Sequence, residues 1–447
     1  MGAPIEELID QQQWEKLQKQ IEAQPAPEVA DALVTLPQDR QALFFNVLSP
    51  SQSAEVFSYL MPEVQEPLLK ALPDDKVRVL LAKLPPDDRT KVLEGLSHHT
   101  ISKLLTLLNH QDLQEAQQLL HYPKESVGRL MTPDFVSVMP DWTIGSAFDH
   151  IRKEGKESET IAVIYVRDTH WKLLDALNLE QLVLASPSQT ISKIMDSSCV
   201  ALHPEDDQEK AVRTIQKHDL VALPVIDASG NLLGIVTADD VLDVAEEEAT
   251  EDMQKGAAVE PLKTRYRDSS VWGLYRKRIP WLGGLVLVNL VASGVIAFYE
   301  ETLASALALA FFIPVLMGSG GNTGTQAATL MVRALATENF TGAQWMKTLL
   351  KEIGVGSLLG ITMGLGIAVL GIARNDWALG MTVGLAMGAI VLLSNIIGVL
   401  FPIVLNYFRV DPAVASSPMV TSTADVTSLA LYFAIATFVL TNAPGGM

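Results

Sequence analysis

Apolar positions divide the chain into two parts that meet near residue 278. Beyond that point lie five stretches with almost no charge, residues 279–299, 302–332, 353–373, 377–408 and 412–447. The fifth contains a single charged residue, Asp425. Each stretch is long enough to cross a bilayer about 30 Å thick at ~1.5 Å per helical residue. The pattern predicts an all-α membrane domain of five spans over residues 279–447.

The first 125 residues carry a short repeat. Its units are marked by Pro37, Pro50, Pro62, Pro73 and Pro85. Each proline is followed by Leu, Val or Phe at helical spacing, as in VRVLLAKL. Proline has no N–H and fits the first helical turn, and the acids after it suit the positive helix N-terminus. We predict one short helix per unit, stacked as a superhelical repeat domain over residues 1–125, with an ordinary bundle of proline-capped helices as the alternative.

Residues 126–253 contain a duplication. Met131 and Pro140 in the first half match Met195 and Pro204 in the second, with the same offset. The second half continues VALPVIDASGNLLGIVTADDVLDV, which predicts a strand, a turn, a strand and a capped helix. The segment resembles a tandem pair of CBS domains, residues 126–190 and 191–253, with α+β folds. The first copy departs from the pattern because it lacks the glycine expected between its last two strands.

Charge separates the two parts as sharply as hydropathy does. The 447 residues carry 33 Lys and Arg against 52 Asp and Glu, a net charge of −19. Residues 1–278 hold 45 of the acids and 28 of the bases. An acidic soluble region joined to a membrane region excludes a single soluble enzyme, and it offers no basic face for nucleic acid. We expect no enzymatic activity, since the sequence has no phosphate-binding glycine loop with lysine, no nucleophile elbow and no zinc-ligand spacing.

The loop charges predict the orientation of the spans. One set of loops contains the bases Arg276, Lys277, Arg278, Arg333, Lys347, Lys351 and Arg409. The opposite loops contain Glu300, Glu301 and Asp376, with Arg374 as their one base. Because positive loops stay in the cytoplasm, we expect a cytoplasmic N-terminus and an external C-terminus, in the cytoplasmic membrane of a bacterium. The lone cysteine, Cys199, agrees with a cytoplasmic soluble region.

Asp425 is the first candidate for chemistry. A carboxylate inside a membrane costs about 2.5–3.5 kcal/mol, so it should face water or a partner. The spans contain no Lys or Arg that could pair with it. A cation is therefore the expected counter-charge, and the alternative is a protonated or Ser/Thr-bonded carboxyl that joins helices.

The second span carries another unusual segment, PVLMGSGGNTGTQAATL over residues 314–330. Its glycines surround Asn322 and Gln326. We expect these glycines to loosen the helix, so that the freed backbone carbonyls face a cavity. Close helix packing through small residues is the alternative, and it suits GVGSLLGITMGLG of the third span better.

Together, the CBS pair, the five spans, residues 314–330 and the segment SSPMVTSTADVT (416–427) resemble the MgtE family of magnesium channels over essentially the whole chain. The resemblance implies a homodimer in the lipid bilayer, with a pore on its two-fold axis between spans 2 and 5. It also implies a plug helix at residues 254–278 and pore ligands at Asp425, Asn322 and Thr421. Oxygen ligands of this kind suit a hydrated Mg²⁺ ion.

Acidic residues are concentrated just before the linker. Residues 196–252 hold 15 acids and 3 bases. Such crowding should spread these elements apart until divalent ions bridge them, although a solvated acidic face is the alternative. The resemblance implies that intracellular Mg²⁺ closes the pore through Asp207, Glu209, Asp219, Asp240, Asp243, Glu248, Glu251 and Asp252.

Two features depart from the family pattern. His98 and His99 stand where relatives often carry an acidic pair, and Asp87 and Asp88 lie nearby without an assigned role. The departing first CBS copy leaves ATP open as a second ligand, and the sequence assigns no residue to it.

The sequence therefore predicts a Mg²⁺-selective channel or transporter for Mg²⁺ uptake that intracellular Mg²⁺ closes. One alternative is a broader divalent transporter for Co²⁺, Zn²⁺ or Mn²⁺, for which we would expect His or Cys in the spans. None occurs after Arg278. Another alternative is a membrane sensor that binds Mg²⁺ or nucleotide without conducting.

Overall fold

The computed structural model describes residues 5–262, 266, 269–337, 342–373, 377–415 and 417–442. The chain forms two compact units, Met1–Glu248 and Ala249–Met447.

The first unit begins with a run of short helices. They are α1 (Ile5–Asp10), α2 (Trp14–Glu22), α3 (Ala26–Thr35), α4 (Gln38–Phe45), α5 (Pro50–Ser58), α6 (Pro62–Ala71), α7 (Asp74–Lys83), α8 (Pro86–Gly95), α9 (His98–Leu105) and α10 (His110–His121). Pro50 and Pro62 are the first residues of α5 and α6, and Pro37, Pro73 and Pro85 cap α4, α7 and α8. Leucine and phenylalanine side chains from successive helices form one continuous core. The prediction of one proline-started helix per repeat is confirmed.

A pair of α+β modules follows. The first contains α11 (Val127–Leu130), β1 (Phe135–Val138), α12 (Ile144–Glu154), β2 (Thr160–Arg167), β3 (Leu173–Asn178) and α13 (Leu179–Leu184). The second contains α14 (Gln208–His218), β4 (Ala222–Ile226), β5 (Leu232–Thr237) and α15 (Ala238–Gly256). Strand β2 pairs with β1 in parallel and with β3 antiparallel, while β4 and β5 are antiparallel. Leu202 adds a parallel bridge to Val225, so the second module repeats the first and the CBS pair is confirmed.

The first module keeps the hairpin turn despite its missing glycine. In the second module Gly230 has φ +84°, and Asp227 accepts backbone N–H bonds from Ser229 and Asn231, both at 2.8 Å. In the first module Trp171 takes the left-handed position with φ +66°. The Arg167 guanidinium lies 3.8 Å from the centroid of the Trp171 indole. A bulky residue is strained there, and this cation–π contact helps to hold it.

The second unit contains the membrane helices. After the last turns of α15 come α16 (Val271–Phe298), α17 (Glu300–Ser305), α18 (Ile313–Thr337), α19 (Gly342–Ile372), α20 (Trp377–Tyr407) and α21 (Ser417–Asn442). Five segments in the described residues are long and apolar enough to span a membrane: Val271–Phe298, Leu307–Leu335, Gln344–Ile372, Trp377–Tyr407 and Ser417–Asn442. The five predicted spans are confirmed.

The predicted plug segment, residues 254–278, is divided between two helices. It begins in the last turn of α15 and ends in the first two turns of α16, which starts at Val271 rather than at residue 279. Residues 263–265 and 267–268 lie outside the described residues, so a separate plug helix stays a prediction. Arg374 and Asp376, two of the charges used for orientation, also lie outside them.

Glycines bring the membrane helices into backbone contact. A Cβ on Gly360 or Gly364 of α19 would lie 2.6 or 2.7 Å from a glycine carbonyl oxygen of α20. One on Gly398 would lie 2.2 Å from the Gly324 carbonyl oxygen of α18. Helix α18 is continuous through its glycine-rich segment, so the expectation of a loosened helix is wrong. The small residues serve close packing instead, because the backbones could not otherwise approach this far.

Candidate functional site

Asp425 lies inside α21, away from either end, and is half-buried. In the part of the chain that the structure describes, no hydrogen bond or ion pair reaches its carboxylate. The nearby hydroxyls of Thr423 and Thr427 donate to carbonyl oxygens of their own helix, Met419 and Thr423. The neighbouring threonines therefore do not bond the Asp425 carboxylate, and the described residues supply no counter-charge for it.

Thr421 lies one turn before Asp425 and contacts α18. Its hydroxyl is 3.1 Å from that of Thr325. A Cβ on Gly321 would lie 2.7 Å from the methyl group of Thr421. Glycine at position 321 thus lets α18 and α21 approach each other at the level of the predicted pore residues.

Asn322, the third predicted pore residue, lies on the other face of α18. It is exposed, as are Gln326 and Thr329. The spacing of these three residues places them on one side of the helix. No hydrogen bond joins Asn322 to Thr421 or Asp425 among the residues described. A polar face on a membrane helix is unfavourable against lipid, so it favours a water-filled path or a second protein surface.

Three of the predicted regulatory acids lie around α14. Asp207 caps this helix by accepting the Glu209 backbone N–H at 2.9 Å. The Glu209 carboxylate pairs with Arg213, one turn along. Asp219 ends α14 with a left-handed φ of +52°. Asp207 and Asp219 thus have local structural roles that the sequence analysis did not assign.

The other five predicted regulatory acids lie along α15 and differ in their neighbours. The Asp240 carboxylate accepts the Thr237 hydroxyl at 2.6 Å, and Glu248 accepts the Gln208 amide at 2.7 Å. The Lys91 ammonium lies 3.1 Å from Asp243. In the second unit, Glu251 lies 2.5 Å from Lys255. The fifth, Asp252, follows Glu251 in the same helix.

An acidic cluster forms where α8 meets the first turn of α15 within the first unit. Burial raises the pKa of Asp87 well above its usual range, helped by the charges of Asp240 and Glu159. Burial, followed by the charges of Asp240 and Asp239, raises the pKa of Glu159 to about 7. Burial likewise raises the pKa of Asp240 to about 6. The cluster therefore holds protons more tightly than separate, exposed carboxylates would.

Only part of this cluster is evident from the sequence. Asp87 and Asp88 stand out there without a role, whereas Glu159 and Lys91 do not stand out. His98 and His99 are exposed in the first turn of α9, and the repeat domain contributes its acids from α8 instead. The motif LPPDDRTK did carry a signal, because it places Lys91 one helical turn beyond two acids.

The regulatory carboxylates and the acidic cluster do not form a complete metal site in the described residues. Among the described residues, no group of three or more His, Cys, Asp or Glu side chains is arranged to hold a metal ion. The carboxylates on α15 are spread along the helix rather than gathered at one point. Cation binding in this region would have to draw ligands together or take them from a second chain.

Family models match three parts of the chain. A model described as a divalent cation transporter, MgtE, matches residues 313–435. The MgtE intracellular N domain matches residues 24–125, and a CBS domain matches residues 191–247. The CBS match falls on the second copy, which is the copy without departures in its sequence.

Curated relatives cover most of the chain. The magnesium transporter MgtE of Thermus thermophilus is 38% identical over 330 residues, which is 73% of this chain and 72% of the relative. The magnesium transporter MgtE of Enterococcus faecalis is 34% identical, covering 72% of this chain and 71% of the relative. A crystal structure of the cytosolic domain of the Mg²⁺ channel MgtE in complex with ATP has a TM-score of 0.52 and 31% identity. It covers 54% of this chain and 98% of that structure.

Proposed function

The chain belongs to the MgtE family of magnesium transporters, and from this membership we propose how its residues carry and regulate Mg²⁺. Its function is the transport of Mg²⁺ across a membrane. In our proposal, the ion passes beside α21 and meets Asp425, Thr421 and Asn322. The single observation that supports this path is the half-buried Asp425 carboxylate, which has no partner in the described part of the protein. Mg²⁺ keeps several waters when it binds, and carboxylate and hydroxyl oxygens can hold that water shell.

We propose that the transporter works as a homodimer. The exposed polar face of α18, formed by Asn322, Gln326 and Thr329, supports this arrangement. In a single chain that face would meet lipid, whereas in a dimer it would line a shared path with Asp425 of each protomer. Two carboxylates facing one path would offer a charge of −2 to a divalent ion, which matches its charge.

We propose that intracellular Mg²⁺ closes the path. The carboxylates Asp207, Glu209, Asp219, Asp240, Asp243, Glu248, Glu251 and Asp252 would supply the regulatory sites. Support comes from the surroundings of Asp240, where burial and then the charges of Asp239 and Asp88 raise the pKa of its carboxyl. A divalent ion would relieve that repulsion and favour a more compact arrangement of the cytosolic elements.

Orientation and nucleotide binding complete the proposal. The loop charges favour a cytoplasmic first unit in the cytoplasmic membrane, with the C-terminus outside. ATP is a further candidate ligand of the CBS pair, because the similar cytosolic domain was crystallised with ATP and the first module keeps its complete strand hairpin. A thermal shift of the purified full-length protein on adding ATP, and none on adding inorganic phosphate, would support nucleotide binding.

Growth of a Mg²⁺-auxotrophic bacterial host tests the proposed path. Expression of the wild-type chain should restore growth at low external Mg²⁺, and Asp425→Ala should not. Glu300→Gln is the matched control, because it removes an exposed carboxylate at a helix start in the same unit. Full rescue by Asp425→Ala at equal expression would contradict the assigned path.

A further inference from the structure

The end of helix α15 belongs to the second unit and forms an ion pair with another segment of that unit. The ammonium of Lys255 lies 2.5 Å from the Glu251 carboxylate, one turn earlier in the same helix. It also lies 2.7 Å from the carboxylate of Asp411, in the connection between α20 and α21. Only a quarter of the Lys255 side chain is exposed. One lysine thus bridges a proposed sensor carboxylate and the segment that leads into α21.

Asp411 is itself fixed by the backbone. One of its carboxylate oxygens, Oδ1, accepts the Ala413 N–H at 2.8 Å and caps the short 3-10 helix Pro412–Val414. Its other oxygen, Oδ2, accepts the lysine. Ala413 and Ala415 are buried, so this connection is packed rather than loose. A displacement of Asp411 would therefore act on a packed segment, residues 411–415, that precedes α21, the helix that carries Thr421 and Asp425.

The ion pair links α15 to the connection before α21 more directly than the covalent chain does. Between Gly256 and Val271 the chain runs through a linker before α16 begins. The Lys255–Asp411 contact joins the end of α15 directly to the connection that leads into α21. Isolated surface ion pairs contribute little. Lys255 differs because it is mostly buried and its two carboxylate partners come from separate parts of the chain.

We propose that Lys255 is a positioning residue that transmits the state of the regulatory carboxylates to the pore helix α21. The proposal rests on the function proposed above. When Mg²⁺ binding moves α15, Lys255 carries that movement to Asp411 and the cap of the 3-10 helix. The residue itself touches no transported ion. It acts through Asp411, so its loss should change the response to intracellular Mg²⁺ rather than the ability to conduct.

Two substitutions distinguish this positioning role from a simpler one, in which Lys255 only competes with Mg²⁺ for the Glu251 carboxylate. Lys255→Met removes both contacts. Asp411→Asn removes only the ion pair between Lys255 and the connection before α21, because the asparagine oxygen can still accept the Ala413 N–H and Lys255 stays beside Glu251. Lys255→Arg keeps the charge and should behave as wild type. Lys277→Met is the matched control, because Lys277 lies near the membrane but pairs with Glu260, at 3.3 Å.

The measurement is Mg²⁺ flux in proteoliposomes of the full-length protein, with Mg²⁺ varied on the side of the first unit and each flux divided by the variant's own maximum. Lys255→Met and Asp411→Asn should each raise the half-inhibitory Mg²⁺ concentration about fivefold, which is the lower end of typical coupling between sites. The double variant should shift no further, and Lys277→Met should not shift.

Three results would overturn the proposal: an unchanged response in Lys255→Met, a shift to lower Mg²⁺, which would make Lys255 a competitor for Glu251, or an equal shift in Lys277→Met. In each case the wild type would still be inhibited by Mg²⁺. A wild type that shows no inhibition would instead contradict the proposed gate.

Discussion

The acidic cluster of the first unit and Asp425 of the second unit have opposite surroundings. In the first unit, Asp87, Glu159 and Asp240 crowd together, burial raises their pKa values, and Lys91 pairs with Asp243 nearby. In the second unit, Asp425 lies within a membrane helix with no partner among the residues described. Crowded carboxylates can be neutralised by protons, lysine or cations, so they suit regulation. A separate membrane carboxylate has no such partner among the described residues, which agrees with the proposed role of Asp425 in transport.

The packing of the two units differs as well. Leucine and phenylalanine side chains fill the core of the repeat domain. In the membrane unit, glycines such as Gly324, Gly360 and Gly398 place one backbone against another. Lipid gives helices no hydrophobic reason to associate, so close van der Waals contact replaces it. The two units should therefore respond differently to the removal of a carboxylate and to the enlargement of a small residue.

The largest effect should come from Asp425→Asn. We expect Mg²⁺ flux in proteoliposomes to fall by about 100-fold or more, because two unit charges ~4 Å apart interact by about 4 kcal/mol at an effective dielectric constant of ~20. Asp243→Asn, in the first unit, should keep maximal flux. Equal losses in both variants would erase the proposed distinction between transport and regulatory carboxylates.

A packing change in the membrane unit should have the next largest effect. The new Cβ of Gly398→Ala would lie 2.2 Å from the Gly324 carbonyl oxygen, so the variant should lose about 1–3 kcal/mol of stability. Thermal unfolding in detergent measures this loss. Gly318→Ala is the control, since its Cβ would meet nothing within 4 Å. If both variants melt with the wild type, α18 and α20 do not pack through these glycines.

Removing the sensor charges should change regulation without stopping transport. Neutralising Asp243, Glu248, Glu251 and Asp252 together should raise the half-inhibitory Mg²⁺ concentration about tenfold, equivalent to ~1.4 kcal/mol of coupling. Flux at low Mg²⁺ on the side of the first unit should persist.

The control for that variant removes the same number of charges elsewhere. Neutralising the exposed acids Glu22, Glu28, Asp31 and Asp39 of the repeat domain should leave the inhibition curve in place. If both sets shift the curve equally, the acids on α15 are a solvated face and the gate lies elsewhere.

The smallest effect should appear as a pH dependence of the first unit. Glu159 and Asp240 have pKa values raised to about 7 and about 6, so the folded state binds protons more tightly than the unfolded state. Their contribution is therefore fully favourable below about pH 4 and is lost as pH rises through 6 and 7. In chelator, the thermal midpoint of the first unit should therefore fall as the pH is raised from 5 to 8.

Substitutions separate that effect from general charge repulsion. Asp87→Asn should flatten the pH dependence, because it removes a buried carboxylate whose Oδ1 has no hydrogen-bond partner in the described residues. Asp75→Asn, at an exposed position of α7, should keep the wild-type slope. If the thermal midpoint of the wild type did not change with pH, the carboxylates of the cluster would not have raised pKa values.

Local patterns in the sequence predicted most of the architecture. Proline spacing predicted the repeat helices because proline is favoured at the start of a helix, and uncharged stretches predicted the five spans because a bilayer excludes charge. Asp425 stood out for the same reason. The position of Trp171 could not be predicted, because its left-handed backbone is set by a turn that normally selects glycine.

Contacts between distant parts of the chain escaped the sequence analysis. Lys91 meets Asp243, and Lys255 meets Asp411, across more than 150 residues in each case. A charged residue on a helix surface gives no sign in the sequence of which distant partner it will meet. The continuity of α18 was also missed, because glycine suits close packing as well as a break.

The most direct test of the account is Mg²⁺ flux into proteoliposomes of the wild-type protein, with Mg²⁺ varied only on the side that the first unit faces. We predict flux at low Mg²⁺ on that side and its progressive loss as Mg²⁺ rises there. Flux that stays constant at every Mg²⁺ concentration would contradict the claim that the acidic first unit senses the ion that the membrane unit transports.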